Sequence, residues 1–320
     1  MFLAKKWGIL IKKESESLIF TGLEIPRDYI CGKEDAVEKM DTYMINKIFT
    51  VPYFDKMIIE NSIPSSFYGC VKRFIKDENS TIGDVISTVY HFMDYEYRNE
   101  YFYKNTILNQ LLIEKHDLYN TAAITELPIG TSKADFIMIN GRGVVYEIKT
   151  DLDNLIRLEN QINDYYKVFS YVNVVVGNKQ LSHVKQFLKD KPVGIYVLNK
   201  EGNLRCRKKA DYYTDKLSYE AMFQVLRKAE FESILIKKFH MLPAVNNFQY
   251  YRECLKWFGQ INIFTAQREV MKCLKSRTLL LVEKKIEEVP YQLRFYAYFS
   301  KKIKLDYHII NTFWNRKIGG

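Results

Sequence analysis

Three side chains carry the chemistry legible in this 320-residue sequence: Asp135, Glu147 and Lys149. Carboxylate oxygens suit Mg²⁺, which is usually held by one or two acids together with waters and phosphate oxygens. An ion so held acidifies a water and stabilises charge on a phosphodiester. A lysine beside it orients or deprotonates the attacking water, or stabilises the developing charge.

Whether the three meet depends on two strands and the turn between them. Lys133 to Asn140 is almost wholly apolar after Asp135, which predicts a buried strand. Val144 to Thr150 alternates, so that Glu147 and Lys149 share one side and Val144, Tyr146 and Ile148 the other. Gly141-Arg142-Gly143 has the composition of a hairpin loop. A three-residue loop there sets Asp135 opposite Lys149 and Ile137 opposite Glu147, and the three charged groups converge. A two-residue loop sends Asp135 to the other face.

An aspartate, a hairpin and then Glu147-Ile148-Lys149 resemble the active-site signature of the PD-(D/E)XK nuclease superfamily, with Ala134 where the name has proline. Gln161 and Tyr165 resemble the Gln-x-x-x-Tyr element on the following helix of RecB-like members. Glu126 to Gly177 is more closely similar to a bacterial group within that superfamily, and the likeness covers residues 97–200. The resemblance implies an α/β fold with a restriction-endonuclease-like mixed sheet core (helix, three strands, helix, strand) and helical N- and C-terminal additions. It implies a metal-dependent nuclease acting on DNA in phage defence, restriction or repair. Asp135 and Glu147 would hold Mg²⁺ or Mn²⁺, and Glu126 would help through metal or water. Lys149 would assist the water, and Gln161 and Tyr165 would position the strand or the lysine. The superfamily often adds a metal-binding glutamate on the helix before the sheet, where Glu100 and Glu114 are candidates.

The elements that must position these residues follow from periodicity and punctuation. A helix is expected over Tyr97 to His116, a strand over Asn120 to Leu127, and a helix over Asp153 to Phe169 capped by Asp151 or Asp153. A strand over Tyr171 to Gly177, a helix over Gln180 to Lys189 and a strand over Val193 to Leu198 complete the core. Glu126 then lies at the end of the first strand, close to Asp135. Residues 1–95 form an N-terminal region with helices at Ala36 to Phe49 and from Thr81. Residues 96–200 are the core, and residues 201–320 a mostly helical, basic C-terminal region.

The net charge is +10, compatible with a polyanionic partner. Arg205, Arg207, Lys208 and Lys209 would line up for phosphate contacts along a strand, or form an exposed basic turn. Lys284, Lys285, Lys301, Lys302, Lys304, Arg316 and Lys317 add to the basic end, either as a nucleic-acid grip or as a solvated surface. Five cysteines without paired spacing suggest neither a disulfide framework nor a zinc site, which suits a reducing cytoplasm. No apolar run approaches a membrane span. The expected partner is nucleic acid, with a homodimer or a partner protein also open. The alternative function is a non-catalytic nucleic-acid-binding or regulatory protein on a nuclease-like fold.

Overall fold

Six strands run side by side in sequence order: β3 (Ala122–Ile129), β4 (Ser132–Asn140), β5 (Arg142–Lys149), β6 (Tyr171–Gly177), β7 (Gly194–Leu198) and β8 (Leu204–Lys208). The computed structural model describes residues 12–14, 17–19, 42–75, 79–279, 286–302 and 307–318. Residues Met1–Thr42 and Tyr43–Gly320 form separate units. In the first, β1 (Lys12–Glu14) and β2 (Ser17–Ile19) make an antiparallel hairpin. Residues 36–41 of the expected helix Ala36 to Phe49, and Lys284, Lys285 and Lys304, lie outside the described residues.

The sheet is mixed, and the architecture is α/β. β3, β4 and β5 are antiparallel neighbours, β5, β6 and β7 are parallel, and β8 returns antiparallel at the edge. Val174, Val175 and Val176 are all fully buried, as a strand covered on both faces requires. On one face, Ile137, Val145, Val174 and Ile195 share a core with Leu158, Ile162 and Tyr165 of helix Leu158–Tyr166, and with Val270 and Leu274 of helix Ile263–Leu279. On the other, Phe136 meets Phe299 at 6.0 Å between ring centroids, and Ala123 N donates to Tyr298 Oη at 3.1 Å. Helix Arg294–Phe299, distant in sequence, therefore covers that face. Among the described residues, no helix is long and apolar enough to cross a membrane.

Local chemistry sets several boundaries. Asn99 caps helix Glu100–Ile107 by accepting from Phe102 N at 2.9 Å. The expected continuous helix to His116 instead widens into a π-helix over Leu108–Ile113. From it, Gln110 accepts from Leu204 N and donates to Gly202 O, both at 2.8 Å, and so pins the β7–β8 turn. Helix Leu158–Tyr166 starts later than the Asp153 expected. Asp153 does not cap it: its Oδ2 accepts from Thr150 N at 2.7 Å and Thr150 Oγ1 at 2.8 Å, closing a turn straight after β5.

The β4–β5 hairpin turns at Gly141, whose φ is +70°. Ile139 pairs with Gly143 and Ile137 with Val145, a register two residues away from the expected one. A slip of two preserves the face of every side chain, so the convergence of Asp135, Glu147 and Lys149 survives it. Gly143 belongs to the strand, not the turn. A Cβ there would lie 2.5 Å from both Met271 Sδ and Phe169 Cδ1, so its lack of a side chain lets helix Ile263–Leu279 approach β5. The two glycines thus have separable tasks. Gly143→Ala is expected to cost about 2 kcal/mol through overpacking, and Gly141→Ala about 1 kcal/mol through its positive φ. Urea unfolding of both variants checks the order.

Candidate active site

Both ladders that flank β4 break at the level of Asp135. Between β3 and β4, pairing is regular at Thr125 with Phe136 and again at Leu127 with Ala134. Glu126, between them, takes a φ of +59°, a conformation costly for a side chain with a Cβ. Between β4 and β5, pairing ends at Phe136 with Tyr146, while β5 continues to Lys149. Asp135 fills the gap with its side chain: Oδ2 accepts from Ile148 N at 2.8 Å.

Glu147 and Lys149 stand on the face covered by helix Leu158–Tyr166, where Glu147 is 1% and Lys149 6% exposed. Lys149 Nζ donates to Glu147 Oε1 at 2.9 Å and to Gln161 Oε1 at 2.8 Å. Tyr165 Oη lies 2.6 Å from Glu147 Oε2 and 3.0 Å from Lys133 O, and its single proton goes to the carboxylate. Burial and the Glu147 carboxylate push the Tyr165 hydroxyl far above its ordinary range, so it remains a donor. Gln161 and Tyr165 are four apart on the helix, and that spacing lets them reach the two members of one ion pair. Asp164, between them, anchors the helix to the β3–β4 turn by accepting from Thr131 N at 3.1 Å and Ser132 Oγ at 2.7 Å.

A second group of acids forms beside this network. Carboxylate oxygens of Glu100, Glu126 and Asp135 lie within 4.8 Å of one another. The trio shares Asp135 and Glu126 with the expected set of Asp135, Glu147 and Glu126, and its third member is Glu100. Glu147 has both oxygens engaged by Tyr165 and Lys149, and Glu100 arrives from the first turn of its helix. Glu114, the other helical candidate, is exposed beyond the π-helix and is not in the trio.

Cations crowd the trio. Lys104 Nζ, on a buried side chain, pairs with Glu100 Oε1 at 2.5 Å and with Glu126 Oε1. Lys133 pairs with Glu126 Oε2. Burial alone would raise Glu126, but Lys104 and Lys133 outweigh it and hold its carboxyl below the usual range. Asp135 goes the other way: burial and the nearby Glu147 charge, with Glu100 adding, raise it well above the usual range. The donor set is all carboxylate oxygen, and an ammonium already sits against two of its members. That chemistry fits a hard divalent cation.

The basic cluster divides. Arg205, Arg207 and Lys209 are exposed on or just past β8, an edge strand three places from β5, about 14 Å away at ordinary strand spacing. Lys208 is turned inward. Its Nζ donates to Leu188 O at 2.8 Å and Lys191 O at 2.6 Å, satisfying the C-cap carbonyl of helix Leu181–Phe187 and one in the turn that follows it. At the C-terminus, Lys302 pairs with Glu60 at 3.1 Å, and Lys317 donates to Asn79 at 3.1 Å.

Sequence reasoning missed Lys104 and Lys133. The Glu100–Lys104 spacing of four on one helix was the available signal for the first. Nothing local marked Lys133, whose role follows from the β3–β4 register.

A family model described as Bacteriophage P4 protein cII matches residues 93–286. That range holds every site residue named above, from Glu100 to Lys209. Neither the curated proteins nor the solved structures gave a match.

Glu147→Gln leaves the Lys149 ammonium buried against a neutral partner, and is expected to cost about 3 kcal/mol. Adding Lys149→Met should recover most of that loss, as a double-mutant cycle by urea unfolding would read. Asp135→Asn should act in the opposite direction. A carboxyl whose folded pKa is raised is ionised at a cost, which is absent below the unfolded pKa of about 3.9 and complete once pH exceeds the folded value. The variant should therefore match wild type in acid and exceed it in Tm increasingly as pH rises to neutrality. Thermal melts across that range check it.

Proposed function

We propose that the chain, which belongs to the bacteriophage P4 protein cII family, is a metal-dependent nuclease that hydrolyses DNA phosphodiester bonds. We read its core as restriction-endonuclease-like, within the PD-(D/E)XK superfamily. The observation that carries the reading is the convergence of Asp135 with the closed network of Glu147, Lys149, Gln161 and Tyr165. Two buried charges in a sheet are costly to keep. The strand break that sets them beside further carboxylates makes little sense as scaffolding alone.

Asp135, Glu126 and Glu100 would hold Mg²⁺ or Mn²⁺, an ion that acidifies a bound water and stabilises charge on the scissile phosphate. Lys149 Nζ commits two of its N–H groups to Glu147 and Gln161, and the third remains for a water or a phosphate oxygen. Glu147 supports the lysine electrostatically, and Tyr165 and Gln161 orient the pair. The net charge of +10, with exposed Arg205, Arg207 and Lys209, supports a polyanionic substrate.

The direct test is incubation with plasmid and linear DNA in Mg²⁺, Mn²⁺ or EDTA. Cleavage should require the ion, and Lys149→Ala should lower its rate by at least about 100-fold, the scale of losing one preorganised charge contact. A Lys149→Ala protein that cleaves as well as wild type would overturn the nuclease reading.

A further inference from the structure

We propose that Lys104 competes with a divalent cation for the carboxylates of this site and so sets how tightly the ion is held. The inference rests on the nuclease reading and concerns a residue to which that reading gives no role. An ammonium that only stabilised a helix would need one carboxylate, and Glu100, four residues earlier, supplies it. Lys104 meets Glu126 as well, across from a different element, so that a single Nζ bridges two of the three acids. The oxygens it engages belong to the very carboxylates a divalent ion would take.

Among the described residues, Lys104 and Lys133 touch the trio, and they differ in freedom. The Lys133 side chain is 59% exposed and can swing into water. The Lys104 side chain is 9% exposed, and its helix is buried from Tyr101 to Ile107. Its charge therefore stays close to an entering ion, and repulsion at a few ångströms in a sheltered site is strong. Three carboxylates without Lys104 would be a tighter cation site and a less stable scaffold. With Lys104, they are satisfied in advance and yield to an ion only at the cost of displacing the ammonium.

Mn²⁺ titration calorimetry, with no nucleic acid present, separates the outcomes. Lys104→Met removes the charge and keeps the bulk. It should bind Mn²⁺ about tenfold more tightly than wild type, and Mn²⁺ should raise its Tm by more. Lys104→Arg keeps the charge and should bind no more tightly than wild type. Lys133→Met, at an exposed position, should tighten binding by a smaller factor, about threefold, and it decides the matter should Lys104→Met fail to fold. Mn²⁺ affinity unchanged or weakened in the neutral variants overturns the proposal while leaving the nuclease reading intact. Wild type that binds no Mn²⁺, or binds it equally well as Asp135→Asn, overturns both.

Discussion

The buried ion pair between Glu147 and Lys149 is the constraint on which the rest of the site depends. Removing two charges from water costs several kcal/mol each, and their attraction compensates only when every remaining lone pair and proton is satisfied. That requirement accounts for the neighbours. Tyr165 takes the second oxygen of Glu147, and Gln161 takes a second proton of Lys149. Both come from one helix, which is held in place by Asp164 at the β3–β4 turn and by Leu158 and Ile162 in the core. Helix, strand and turn are thereby fixed to one another by polar contacts as well as by apolar packing.

A sheet that only packed would have kept its ladders intact. Here both ladders of β4 open at Asp135, Glu126 adopts an unfavourable backbone conformation, and a carboxyl is raised by burial and like charge. Each feature disfavours folding locally, and all of them coincide within one small region. Such clustering concentrates the local cost in one place, which the surrounding structure must hold in shape. The stable remainder tolerates it because β6 and β7 are buried on both faces and helices Ile263–Leu279 and Arg294–Phe299 close the sheet from opposite sides.

Basic residues follow the same logic of local requirement. Lys208 belongs to the Arg205–Lys209 run, yet its ammonium is spent on carbonyls of the turn that follows helix Leu181–Phe187. Arg205, Arg207 and Lys209 keep their charge at the surface. A cluster that looks uniform in one dimension thus separates into a structural member and three exposed ones once the strand has a direction and a neighbour.

The sequence by itself determined the central strands and the side of the sheet on which Asp135, Glu147 and Lys149 stand. The apolar run of Tyr171–Gly177 and the alternation after Gly143 are local patterns, and side-chain period two carries Asp135, Glu147 and Lys149 to one face even when the hairpin register differs by two. Gln161 and Tyr165 were legible for the same reason, since a spacing of four on a helix is geometry written in the chain. Tertiary structure alone decided what those residues touch. That Glu147 spends both oxygens on Tyr165 and Lys149, that Glu100 joins Glu126 and Asp135, and that Lys104 lies among them depend on how a helix before the sheet meets the gap in the ladder of β3 and β4. No periodicity encodes such meetings. They arise from packing between elements, whose energy is summed over many weak contacts and leaves no mark at any single position.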